Sequence, residues 1–134
     1  MALEIRKRTV EDIQVLEIKG RIILGESSGT LRSTLDELIR AGQSKIILDM
    51  EGVDYIDSSG LGALVMMATA AQKAGGKLAL LNLSKRNIEL MVMTKLSTVF
   101  EIHNNETDAV NSFFPDRKVH KFDILSFVRG QQEN

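Results

Sequence analysis

The chain contains no cysteine, and that absence removes disulfides, thiolate zinc sites and thiol nucleophiles together. Net charge is nearly absent too: 17 Lys and Arg stand against 18 Asp and Glu, a formal balance of -1. Without a basic excess, direct binding to a nucleic-acid backbone is disfavoured. No run approaches the ~20 apolar residues that cross a bilayer, so membrane insertion is not expected. Met1 to Arg8 lacks the apolar stretch of a secretory signal, and the expectation is a cytoplasmic protein. Histidine is scarce, with only His103 and His120. Metal binding and general-base chemistry are thinly supplied, and both rings are expected at the surface. The single proline, Pro115, falls where the regular pattern of elements stops.

What is present suits one soluble domain. At 134 residues the chain can bury roughly two-thirds of its unfolded surface, and 43% hydrophobic with 26% charged residues is ordinary globular composition. Leu3 to Thr9 and Ile13 to Ile18 read as two strands of a hairpin turning at Val10-Glu11-Asp12, with Gly20 ending the second. Glu26-Ser27-Ser28 supplies cap candidates for a helix carrying Leu31, Leu35, Leu38 and Ile39 on one stripe and stopping at Gly42. Lys45 to Met50 and Lys77 to Asn82 are apolar enough to be buried strands, and the helix pattern between them, Leu61 to Ala74, makes a parallel crossover. Met66 and Met67 are adjacent and cannot both lie centrally on one helical stripe; one is expected in the core and the other is open to an exposed contact, with core packing the favoured reading for either. Ser84 caps a further helix with Ile88, Met91 and Val92; Val99 to Ile102 reads as a last strand; Thr107 or Asp108 opens a helix reaching Phe114. The sum is an α/β fold: a mixed sheet of four to five strands, with about four helices packed mainly on one side. Residues 1–114 form this domain and 115–134 an extension, in which Val119, Phe122, Ile124, Leu125, Phe127 and Val128 are suited to docking and 130–134 to fraying.

The junction Asp57-Ser58-Ser59-Gly60-Leu61-Gly62 concentrates the chemistry. It joins a strand to a helix, and the Ser-Ser pair is placed to cap the helix, where unpaired N–H groups and the macrodipole favour negative charge. Spacing leaves two roles open, an inert cap or a hydroxyl that is modified. A nucleophile elbow requires glycines two residues either side of the serine, and neither serine has them. Gly20 and Gly25 have P-loop spacing, but Glu26 stands where that loop needs lysine. Gly60 and Gly62 lack the third glycine of a dinucleotide fingerprint. No catalytic residue, metal or cofactor is therefore expected.

The order Ile46-Ile47-Leu48-Asp49-Met50, then Val53-Asp54-Tyr55-Ile56 leading into Asp57 to Gly62, then Gly75-Gly76-Lys77-Leu78, resembles the STAS domain of bacterial anti-sigma factor antagonists. The resemblance spans Leu3 to Phe113. It implies that Ser58, the first serine after the aspartate, is phosphorylated by an anti-sigma factor that is also an ATP-dependent serine kinase. It further implies that the unphosphorylated form binds that kinase and frees a sigma factor, and that a protein phosphatase resets the switch. Asp57, Ser59, Gly60, Leu61 and Gly62 would then shape the docking surface. Many relatives carry an acid soon after the glycine ending the second strand; here Arg21-Ile22-Ile23-Leu24-Gly25 is apolar at that place, and Glu26 is the nearest substitute. A scaffold or transport-associated STAS subunit is the second reading the resemblance permits. The stretch from Phe114 to Asn134 extends past the usual domain end and is suited to an additional contact or to self-association as a homodimer.

Overall fold

The computed structural model describes residues 3–124. Expectations placed on Leu125, Phe127, Val128 and residues 130–134 lie outside them. The elements run β1 (Glu4–Val10), β2 (Ile13–Ile22), α1 (Glu26–Arg40), β3 (Lys45–Ile56), α2 (Ser58–Lys73), β4 (Lys77–Leu81), α3 (Lys85–Met93), β5 (Glu101–His103) and α4 (Glu106–Asn111). The five strands lie in sequence order in one sheet. β1 is antiparallel to β2, and every later pairing is parallel. This is the mixed sheet the periodicity predicts.

Two apolar layers hold it. The larger joins one sheet face, through Leu16, Ile46, Leu48 and Leu80, to Leu31 and Leu35 of α1, Leu61, Leu64 and Met67 of α2, and Ile88 and Met91 of α3. The smaller joins Ile13, Val15, Ile47, Ala79 and Leu81 on the other face to Ala109 and Val110 of α4. Three helices therefore pack on one side and one short helix on the other. The central strands are buried on both faces, which explains why their sequences read as continuous apolar runs rather than alternations.

Several boundaries differ from the sequence expectation, each for a local reason. Gly20 does not end β2: its φ of 123° accommodates one of two register shifts against β3, and the strand continues to Ile22 as a bulged strand. β3 likewise runs on to Ile56, past Met50, because Met50, Val53 and Ile56 stay buried through the irregular register. The 3-10 turn Leu96–Thr98, entered through Lys95 at φ 63°, delays β5 to Glu101 and leaves Val99 exposed. α4 is capped by Asn105, whose side chain accepts from the Asp108 N–H at 2.9 Å, and it stops at Asn111. Thr107 and Asp108 are thus inside the helix, and Phe113 and Phe114 follow it, packed against the smaller core. The hairpin holds, its turn made by Glu11 and Asp12 with φ of 48° and 70°. Gly42 ends α1 as expected, at φ 79°, with the Gln43 N–H returning to the Leu38 carbonyl at 2.8 Å. Met67 is buried and Met66 exposed.

The segment after α4 lies on the domain. Arg117 makes a two-pronged ion pair with Glu11 of the hairpin turn, both contacts at 2.8 Å, and stacks on Phe114. The His120 N–H donates to Asp108, and Phe122 and Ile124 pack against the larger core. Among the described residues no helix is long and apolar enough to cross a membrane.

Candidate functional site

The bulged extensions of β2 and β3 carry Ile22 and Ile56 to the same end of the sheet, paired in register. α2 starts there. Its cap is Asp57, not the Ser-Ser pair: Oδ1 accepts the Gly60 N–H at 2.7 Å. The other carboxylate oxygen accepts the Leu24 N–H at 3.0 Å, and the Asp57 N–H donates to the Ile22 carbonyl at 3.2 Å. One side chain thus fastens the start of α2 to the loop between β2 and α1. The Leu24 N–H first, and then that of Gly60, hold the Asp57 carboxyl below the usual carboxylate range.

With capping assigned to Asp57, Ser58 becomes the first residue of the helix. It is exposed, and its hydroxyl bonds to no described residue. Ser59 is half-buried beside it. Gly60 faces inward, where an added Cβ would stand 2.1 Å from the Ile22 carbonyl oxygen. Leu61 is a core residue. Gly62, one turn beyond Ser58, is exposed and open, with nothing within 4 Å of where a Cβ would be. The predicted surface therefore divides: Ser58 and Gly62 face outward, Asp57 and Ser59 lie at the rim, and Gly60 and Leu61 secure the junction from within.

The loop that departs from the expected acidic pattern is mostly structural. Ile22 is fully buried and Ile23 half-buried, while Leu24 projects with 75% of its surface exposed. Glu26 sits exposed in the first turn of α1, whose cap position is Gly25 and carries no side-chain bond. Ser27, expected among the cap candidates, is buried; its hydroxyl accepts from the Ile23 N–H at 2.9 Å and donates to the Ile23 carbonyl at 3.0 Å.

The wall opposite Ser58 has no signature in the sequence pattern. Asp57 and Ser58 line a groove of about 310 Å³ with Tyr55, Arg86, Glu89 and Met93. Three of these come from α3, which is anchored here by Ser84 as its cap and by the Asn87 amide donating to the Val53 carbonyl at 3.2 Å. The Arg86 guanidinium lies 4.8 Å from the centre of the Tyr55 ring. No local spacing signals this neighbour, because it depends on where the β4–α3 crossover lands.

Neither histidine lines the groove. His120 is exposed as expected, but His103 is buried in β5, with Nε2 2.9 Å from Glu101. Its position follows from the shift of β5 toward the C-terminus, which places it inside the strand. Among the described residues the Ser58 hydroxyl makes no hydrogen bond to a histidine or a carboxylate, and no group of three or more suitable side chains could hold a metal ion.

The model for the STAS domain matches residues 4–109. An anti-sigma-B factor antagonist of Bacillus subtilis is 38% identical over 96 residues, covering 72% of this chain and 85% of that protein. Among solved structures, an anti-sigma factor antagonist from Mycobacterium paratuberculosis superposes with a TM-score of 0.73 at 15% identity, covering 83% of this chain and 93% of that one. The Bacillus cell fate determinant SpoIIAA in its phosphorylated form gives 0.64 at 19% identity, covering 81% and 98%. At these identities the two structures speak for the fold.

Proposed function

This chain belongs to the STAS-domain family of anti-sigma factor antagonists, and on that premise we propose that it is a partner-switching regulator controlled at Ser58. In this reading the unmodified protein binds an anti-sigma factor that is also a serine kinase, so that a sigma factor is released. The kinase transfers the γ-phosphoryl group of ATP to the Ser58 oxygen, the modified protein dissociates, and a phosphatase restores it. The observation that carries the proposal is the division of labour at the junction. Asp57 caps the helix, and Ser58 next to it is exposed with an uncommitted hydroxyl.

The physics favours a switch of interface rather than of fold. A phosphoryl group adds about -1.5 to -2 charge, and the start of α2 tolerates it through the helix dipole. A partner packed over Ser58 meets that charge beside the ionised Asp57 and loses contact area as well. A hundredfold loss of affinity corresponds to only ~2.7 kcal/mol. Ser58 thereby receives chemistry rather than performing it. Incubation with the cognate kinase and ATP, followed by mass-spectrometric mapping, should place one phosphate on Ser58 and none on Ser58→Ala. Phosphate on Ser59 instead, or on neither serine, would refute the assignment.

A further inference from the structure

Arg86 stands out in the groove beside Ser58. Among the described residues it has no carboxylate partner, whereas the groove's other α3 charge, Glu89, is 3.9 Å from Lys85. The Arg86 guanidinium instead lies over the Tyr55 ring, and both line the same groove as Ser58 and Asp57. A ring contact uses up no hydrogen-bond donor, and among the described residues the Arg86 N–H groups make no hydrogen bond, so they stay available as the fork that binds phosphoryl oxygens in pairs.

We infer that Arg86 is the in-chain receptor for the phosphoryl group of modified Ser58, closing the groove between α2 and α3 when the serine is phosphorylated. The inference rests on the proposed modification of Ser58. Of the charged side chains lining the groove, Asp57 and Glu89 repel a phosphoryl group and Arg86 attracts it; Lys85, 3.9 Å from Glu89, and Arg21 of β2, in register with Tyr55, do not line it. Without Arg86 the charged side chains lining the groove around the modified serine would all be carboxylates, opposed by the field of the helix start. With it, the phosphoryl group is drawn across the groove, and a partner reaching for Tyr55 and Met93 finds the space filled.

Tyr55 provides a built-in reporter, because it is the only tyrosine in a chain that has no tryptophan. Phosphoserine can be placed at position 58 of the full chain during translation, without any kinase, in the wild-type, Arg86→Gln and Arg86→Lys backgrounds. Arg86 is exposed, so the variants should fold. Phosphorus NMR titration should give a second phosphoryl pKa about one unit lower in wild type than in Arg86→Gln. Arg86→Lys should lie between the two, as a point charge without the fork. Tyr55 emission should change on phosphorylation in wild type and stay constant in Arg86→Gln. The same phosphoryl pKa in all three proteins, or a Tyr55 response that persists in Arg86→Gln, would overturn the inference. Because the phosphoserine is installed directly, this result is independent of whether a kinase modifies Ser58, which the mapping experiment answers separately.

Discussion

At Asp57 one carboxylate performs two tasks, capping α2 through Gly60 and holding the β2–α1 loop through Leu24. Asp57→Ala should therefore lower the urea midpoint more than Asp57→Asn, which keeps an acceptor in place. The folded-state pKa of Asp57 is depressed, so its contribution is present above the ordinary carboxylate range and fades as pH falls below it. The gap between wild type and Asp57→Ala should close in acid. The two glycines of the junction should respond oppositely to alanine. At Gly60 the new methyl meets a backbone carbonyl, with an expected cost of about 1–3 kcal/mol. At Gly62 it meets open space within a helix, and Gly62→Ala should add up to ~1 kcal/mol; chemical denaturation reads both. Ser58 was legible from its place in the motif, but its freedom was not. Asp and Ser are equally good caps, and only the backbone shows which one serves.

Among elements, the apolar periodicity predicts the five strands and four helices of the described residues and fails at their ends, where the register slips. Gly20 reads as a terminator because glycine commonly is one, and only pairing with β3 shows that it carries a bulge. The pattern sets β5 at Val99 to Ile102, two residues early at its start and one at its end, and so leaves His103 outside the strand that buries it. That error conceals a cluster: Glu101 receives His103 Nε2 at 2.9 Å and the Lys77 ammonium at 3.0 Å. The His103 hydrogen bond chiefly, with help from Lys77, pulls the Glu101 carboxyl down to about 2 from 4.5. A depressed carboxylate stabilises the fold above its unfolded pKa and loses that contribution as pH drops through the folded one. Acid unfolding between pH 4.5 and 2 should accordingly be less steep in Glu101→Gln. Partial exposure of the pair limits the effect to ~1 kcal/mol, measurable as a urea midpoint followed across that range.

Over the whole molecule, the parallel layers built by β2 to β5 and α1 to α3 make a packed platform, with Ser58 at the rim where the two longest strands end. The sequence revealed this architecture because burial on both faces leaves uninterrupted apolar strands, and amphipathic stripes mark the helices between them. It did not reveal the tie between Arg117 and Glu11, 106 positions apart, nor the approach of α3 to Ser58, since contacts of that range have no local signature. The proposed switch acts at the interface and needs no movement of the platform. The most direct test is calorimetric affinity for the cognate anti-sigma kinase, comparing the unmodified chain with the chain carrying phosphoserine at position 58. Control at Ser58 requires the phosphorylated form to bind about a hundredfold or more weakly with an unchanged fold by NMR; equal affinity of the two forms would rule it out.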